Sequence, residues 1–166
     1  MPLGSQVTTI LTPSAVHHSD WAGDLSKVTG EDLNFAIADT VGQAGYVEFT
    51  DLPADVHSIS SIQVYLINHL ISGASLGKTD TAVLRTAITN DGGTIYNSYV
   101  EDTTIRTGSP RDSSLTKRLT SDGSAAWTIS EVNGIEVHLS AHSGTVGDGI
   151  QLDHVYIEVT YITPPP

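Results

Sequence analysis

Glutamate and histidine residues recur at even spacing near the C-terminal end of this 166-residue chain. Glu136, His138 and His142 share one face if residues 135–142 form a regular strand, and imidazole and carboxylate groups are zinc ligands. Residues i and i+4 of a strand lie about 13 Å apart, so the two histidines cannot contact one ion. The spacing therefore predicts no metal site at these residues.

The other residues with catalytic chemistry lack the arrangement that a reaction needs. The run from His17 to Asp20 contains triad residue types, but neighbours in sequence cannot place a base opposite a nucleophile, so it indicates a polar loop. Four glutamates lie on predicted strands, mostly on solvated polar faces: Glu48, Glu101, Glu136 and Glu158. Loop carboxylates such as Asp148 and Asp153 leave calcium binding open. The sequence predicts no catalytic residue, no cofactor and no metal ligand, and hence a protein that is not an enzyme.

Charge and composition exclude two classes of partner. The chain has 7 Lys and Arg against 19 Asp and Glu, a net charge of −12, so it lacks the basic face that binds nucleic acid or an anionic membrane. It contains no cysteine, which excludes a disulfide scaffold and thiol catalysis. Its low charged content, with many Thr, Ser, Gly, Val and Ile residues, favours a β-protein.

Short apolar or alternating segments separated by turn signals predict about eight strands. Residues 45–50 alternate, with Val47 and Phe49 facing inward, and residues 59–71 are apolar on both faces. Further strands are predicted at 7–12, 81–89, 94–104, 114–120, 135–142 and 150–162. The Asn-Asp-Gly-Gly sequence at 90–93 predicts a hairpin turn between two of them. The pattern is typical of an all-β, antiparallel β-sandwich of the jelly-roll type.

The segment from residue 126 to 161 is expected to close this sandwich. Thr128 and Glu131 have the spacing of a capping box, and Asn133 with Gly134 supplies a stop signal, so residues 129–133 should form one helical turn. In the strand that follows, four residues should face outward: Glu136, His138, Ser140 and His142. Trp127, beside the capping box, is expected to plug the end of the sandwich.

The domain organisation is interpreted as a single sandwich with short ends. Residues 1–20 form a predicted N-terminal arm, in which the β-branched run at 7–12 is either an edge strand or part of the arm. Residues 21–162 form the sandwich, and residues 163–166 form an extended C-terminal tail.

Side chains that point away from the apolar core faces are candidates for an interface with another subunit or a ligand. Tyr46 and Tyr156 occupy such positions on their strands, and the second apolar face of residues 59–71 supplies four more. The complete candidate set is Tyr46, Tyr65, Ile67, His69, Ile71, Glu136, His138 and Tyr156.

Several segments together resemble a family of tailed-bacteriophage structural proteins of the jelly-roll type. Residues 126–137, AWTISEVNGIEV, are similar to the pattern W-T-x-x-[DE]-[VL]-N-x-[IL]-E-[VF], and QLDHVYIEVTY follows at 151–161. Upstream, Trp21 precedes YVEFTDLP at 46–53 and ISSIQV at 59–64. The resemblance covers most of the chain, and its motifs are structural rather than catalytic.

The resemblance implies a virion protein located on the capsid surface. Such jelly rolls serve as capsid decoration (cement) proteins, head fibres or tail-fibre domains, and they are often homotrimers. Because the chain is one compact domain without a fibre segment, the expected function is decoration of the head, with the major capsid protein as partner. The alternative is a carbohydrate- or receptor-binding module of a tail or head fibre.

Overall fold

The computed structural model describes residues 4–72, 83–90, 100–102, 111–121, 125–142 and 149–166. Elements in these ranges are numbered in chain order. The strands are β1 (Gln6–Leu11), β2 (Pro13–His17), β3 (Ala36–Ala38), β4 (Ala44–Phe49), β5 (Ser58–Ser72), β6 (Val83–Asn90), β7 (Val100–Asp102), β8 (Arg111–Ser114), β9 (Ile135–His142), β10 (Gly149–Leu152) and β11 (His154–Ile162). A 3-10 turn covers Leu25–Val28, and the helix α1 covers Ile129–Asn133.

The strands form two antiparallel sheets that pack face to face. In the first sheet β5 pairs with β11 on one edge and with β8 on the other, because Tyr65 of β5 is opposite both Tyr156 and Ser114. The other edge of β11 pairs with β1. The second sheet has the order β2-β4-β9-β6-β7. Eight principal strands can be numbered 1 to 8 in chain order: β1, β4, β5, β6, β7, β8, β9 and β11. The first sheet then has the order 1-8-3-6 and the second has the order 2-7-4-5. This order is the double Greek key of a jelly roll, and the predicted all-β sandwich is confirmed.

The long strand β5 pairs along one edge with a nearly continuous partner. Ile67 is opposite His154 and Leu70 is opposite Gln151, so the register does not change across the break between β10 and β11. The break falls at Asp153, which is fully buried and accepts a hydrogen bond from the backbone N–H of Asp32 at 3.2 Å. The two strands therefore extend along β5 as one, as the sequence predicted for residues 150–162.

The inward side chains of both sheets form one core. Val47 and Phe49 of β4 are buried, as the alternation predicted, and Val64 of β5 faces Ile157 of β11 within the first sheet. Trp21 joins the core and donates its Nε1–H to the Leu139 carbonyl oxygen of β9 at 3.2 Å. The largest fully buried side chains are Leu11, Leu25, Ile62, Leu84, Ile88, Ile135, Leu139, Ile150, Leu152 and Ile157.

The N-terminal segment belongs to the sandwich, which corrects its interpretation as an arm. β1 pairs with β11 from Gln6 to Leu11, and β2 pairs with β4 from Pro13 to His17. The chain crosses from the first sheet to the second at Thr12, and its edge strands complete both sheets. Of the two alternatives for residues 7–12, the edge strand is confirmed. Their β-branched side chains favour a strand, and β11 offers an edge with which that strand pairs.

The one-turn helix forms where the capping box predicts it. The Thr128 side-chain oxygen accepts the Glu131 N–H at 3.1 Å, and a Glu131 carboxylate oxygen accepts the Thr128 N–H at 2.8 Å. Gly134 ends the helix by donating its N–H to the Ser130 carbonyl oxygen at 3.1 Å. Two otherwise unpaired helix donors are therefore satisfied by side chains.

Replacing Thr128 with alanine should reduce the free energy of unfolding by about 0.5–2 kcal/mol, because the Glu131 N–H loses its acceptor. Serine at this position retains the hydroxyl and should recover most of the loss. Urea unfolding followed by circular dichroism measures both effects. Equal stability of the alanine and serine variants would contradict the role of the cap.

One predicted strand is displaced, and others lie partly outside the described residues. β8 covers Arg111–Ser114 rather than 114–120, and beyond it the chain joins β5 through separate hydrogen bonds at Leu115 and Arg118. The Gly and Pro residues before β8 made that region resemble a loop. The turn at 90–93 and most of the strand at 94–104 are not described, although β7 pairs with β6 as the hairpin requires.

Candidate functional site

The outer face of the second sheet gathers histidine, tyrosine and glutamate side chains from three neighbouring strands. His17 of β2 is opposite Tyr46 of β4, and Tyr46 is opposite His138 of β9. One step along the strands, Glu48 of β4 is directly opposite Glu136 of β9. Like charges in directly opposed positions destabilise a sheet unless something compensates them. This arrangement makes the pair of glutamates the feature to explain.

His17 lies against both glutamates. Its Nε2 is 2.7 Å from Oε2 of Glu136 and 3.1 Å from Oε1 of Glu48. The Glu136 side chain is only 3% exposed, whereas that of Glu48 is 39% exposed. Together the three residues, called the His-Glu cluster below, place one nitrogen and two carboxylate oxygens within 4.8 Å of one another.

The burial of Glu136 corrects the expectation that it faces water. β9 lies in the middle of the second sheet, and His17 at the end of β2 reaches across β4 to its outer face. His17 was assigned to a polar loop from the sequence, but it is the last residue of β2. The sequence therefore missed the cluster, because its members come from three strands whose order no local pattern specifies.

Tyr46 and His138 border the His-Glu cluster. Their ring centroids are 4.7 Å apart, and the Tyr46 ring is also 6.1 Å from that of His17. Burial, followed by the charge of the Arg85 guanidinium, lowers the pKa of His138 below its ordinary value, which keeps this imidazole neutral at pH 7. His138 and His142 both lie on the regular strand β9, as expected, so they are four residues apart along a strand and too far from each other to contact one ion.

A pocket of about 240 Å³ adjoins the cluster at the end of the sheet. Glu48 and Glu136 line it together with Asp51, so carboxylates dominate its charge. The remaining lining residues are Ser14, Phe49, Asn133, Gly134 and Ile135. The opening gives small hydrated solutes access to the two glutamates, and its charge favours cations.

The outer face of the first sheet carries a different group, centred on two stacked tyrosines. Tyr65 of β5 and Tyr156 of β11 are cross-strand partners whose rings are 4.9 Å apart and nearly parallel, at 13°. The Tyr65 hydroxyl donates to Oε1 of Gln63 at 3.1 Å, and the Gln63 amide donates to the Leu115 carbonyl oxygen at 3.0 Å. These bonds hold the ring pair, called the tyrosine stack below, in one orientation.

The surroundings of Tyr156 include His154 and acidic groups. The His154 ring lies 5.6 Å from that of Tyr156, and its Nδ1 is 2.7 Å from the Val28 carbonyl oxygen. Burial, and then the neighbouring Tyr65 and Glu158, raise the pKa of Tyr156 above its ordinary value. The phenol therefore remains protonated at physiological pH and available as a hydrogen-bond donor.

The interface candidates thus separate into two groups on opposite surfaces of the sandwich. Tyr46, Glu136 and His138 lie on the second sheet, whereas Tyr65 and Tyr156 lie on the first. Ile67 also points away from the core of the first sheet, yet it is only 7% exposed. The backbone positions of His69 and Ile71 are on β5, but their side chains are outside the described part of the structure.

No family model matches the chain, and no curated protein matches it either. Among the described residues, no helix has the length and apolar character needed to span a membrane.

Proposed function

We propose that this protein is a structural protein of a bacteriophage virion, a capsid decoration protein that binds the major capsid protein lattice and stabilises the head. The observation that supports this role is the combination of the jelly-roll order of strands with the phage-like sequence segments. Those segments supply structural elements of both sheets: α1 with β9 of the second sheet, and β10 with β11 of the first. The mechanism is burial of interface area rather than catalysis.

The tyrosine stack is the proposed contact with the capsid lattice. Tyrosine is enriched at protein interfaces because its ring buries a large area while its hydroxyl keeps a hydrogen-bond partner. Tyr65 and Tyr156 are both half-buried and already stacked on each other, so we expect them to lose little conformational entropy on binding. Ile67 lies on the same face of β5 but is only 7% exposed, so the two tyrosines provide the accessible part of this surface.

The virion role is tested by comparing phage heads with and without the protein. Heads that lack it should lose a surface knob in electron micrographs and should release DNA at lower temperature. Heads of unchanged appearance and heat resistance would refute the proposal. Adding back the purified protein should restore both properties.

Binding of variants to these heads tests the proposed surface. Tyr156→Ala should weaken binding about 30-fold, the size expected for a central aromatic contact. Tyr46→Ala, a half-buried tyrosine on the opposite sheet, is the matched control and should bind like the wild type. Equal losses in the two variants would contradict the assignment of the first sheet to the capsid.

The expected oligomer is a homotrimer. Its mass in solution should be near three times 17.5 kDa by light scattering. The net charge of −12 makes free subunits repel one another at low ionic strength, so the trimer should be measured at physiological salt. A monomer at all concentrations would favour a binding module instead.

The alternative, a carbohydrate- or receptor-binding module of a fibre, draws on the same tyrosine stack. Aromatic rings on an outer sheet face, such as those of Tyr65 and Tyr156, can pack against the apolar face of a sugar. A glycan array distinguishes the two functions. Binding of a defined glycan that is abolished by Tyr65→Ala would favour the fibre module over decoration.

A further inference from the structure

We infer that the His-Glu cluster binds one divalent transition-metal ion of the zinc or manganese class. The ligands are Nε2 of His17 and one carboxylate oxygen each from Glu48 and Glu136. An imidazole with two carboxylates is a donor set that these ions accept, since zinc binds nitrogen and oxygen ligands and manganese favours oxygen. The inference concerns this chain's own residues and is independent of the virion role.

The distances between the ligand atoms fit a coordination shell. Ligands about 2.1 Å from an ion lie about 3.0 Å apart when their bonds meet at right angles and about 3.4 Å apart at the tetrahedral angle. The two measured separations from His17 Nε2 are 2.7 Å to Glu136 and 3.1 Å to Glu48. The third separation, between the oxygens of Glu48 and Glu136, is within 4.8 Å, so the two glutamate side chains would adjust on binding to place all three atoms around a common centre.

The direction of the imidazole nitrogen separates this arrangement from an ordinary ion pair. His17 Nε2 is buried and forms no hydrogen bond of acceptable geometry with any described residue, although two carboxylate oxygens lie within 3.1 Å. In a hydrogen bond the oxygen lies along the N–H direction, at an angle above about 150°. Around a metal the oxygens instead lie to the side of the nitrogen lone pair, which points at the ion between them.

Charge provides a second argument. Glu48 and Glu136 are directly opposed on neighbouring strands, and Glu136 is almost completely buried. A protonated His17 would supply one positive charge for two carboxylates, and its Nε2–H could serve only one of them well. A divalent ion balances both carboxylates and removes the repulsion between them. The carboxylate-lined pocket beside Glu48 gives such an ion a route from solvent.

The ion would act as a structural link within the second sheet. His17 is the last residue of the edge strand β2, whereas the glutamates belong to β4 and β9. Coordination would therefore tie the N-terminal segment to the centre of the sheet at the point where β2 ends. Three protein ligands leave at least one position for water, as in other sites that are open to solvent.

Calorimetric titration of untagged protein, first stripped with EDTA, tests the site. Zn²⁺ or Mn²⁺ should bind with one equivalent per chain and raise the melting temperature by about 5 °C at saturation. Co²⁺ provides a spectroscopic probe, because its visible absorption reports a nitrogen and oxygen ligand set. Absence of saturable binding of all three ions to the wild-type protein would overturn the inference.

Single substitutions locate the binding. Glu48→Gln, at a partly exposed position that should not affect folding, and His17→Ala should each weaken binding at least 10-fold and abolish the shift in melting temperature. Glu158→Gln on the other sheet and His57→Ala at an exposed position are matched controls and should bind as the wild type does. Binding that survives both cluster substitutions, or that is lost equally in the controls, places the ion elsewhere and refutes the site.

Discussion

Replacing Ile157 with alanine should lower the free energy of unfolding by about 2–5 kcal/mol. Ile157 is 0% exposed and lies in the middle of β11, opposite Leu11 of β1 on one side and Val64 of β5 on the other. The truncation removes buried methyl groups and leaves a cavity. Hydrogen-bonded strands on both edges of β11 keep the backbone from closing it. Urea unfolding followed by tryptophan fluorescence measures the loss.

The same substitution at Ile10 is the matched control. Ile10 lies on the adjacent strand β1, opposite Glu158, and is 45% exposed. Ile10→Ala should therefore change stability by no more than about 0.5 kcal/mol. Similar losses at the two positions would contradict the register between β1 and β11, since a shift of one residue exchanges their faces.

Replacing Trp127 with alanine should cost about 3–5 kcal/mol of unfolding free energy. Trp127 directly precedes the capping box, is 3% exposed and packs in the core cluster. Its burial in the core agrees with the hydrophobic packing expected of this side chain. Loss of the near-ultraviolet circular dichroism signal and a lower urea midpoint are the measurements.

Two variants separate core packing at Trp127 from an effect on the helix. Trp127→Phe keeps an aromatic ring, so its loss of unfolding free energy should be less than half of the loss in Trp127→Ala. Ile129→Ala alters the first residue of α1 at a 40% exposed position and should be close to neutral. A neutral Trp127→Ala variant would contradict the placement of the indole in the core.

Much of the fold was predictable because it depends on local alternation. The alternation of apolar and polar residues at 45–50 predicted that Val47 and Phe49 face inward, and both are buried. The capping box gave α1 with its two ends, since its hydrogen bonds join residues three positions apart. The strand predicted at 114–120 was wrong in position: the paired strand β8 is Arg111–Ser114, and beyond it the chain contacts β5 at separate points. Local sequence does not report where pairing with a distant strand begins and ends.

Assignment of the polar residues was less reliable, and Glu136 shows why. Alternation correctly placed it on the face of β9 opposite to Val137, but alternation does not report what covers that face. The outer face of a central strand is buried when a side chain from another strand of the sheet crosses it, as His17 of β2 reaches across β4 to Glu136 here. Glu48, which has the same residue type and a directly opposed position, remains 39% exposed.

The sequence by itself determined the all-β class, the inward faces of the main strands and the one-turn helix before β9. These features depend on contacts between near neighbours and on the period of a strand, both of which are written in consecutive residues. Only the tertiary structure decided that β2, β4 and β9 are adjacent, and hence that His17, Glu48 and Glu136 meet. Strand order follows from the packing of the whole sandwich, so residues distant in the chain converge without a local signal.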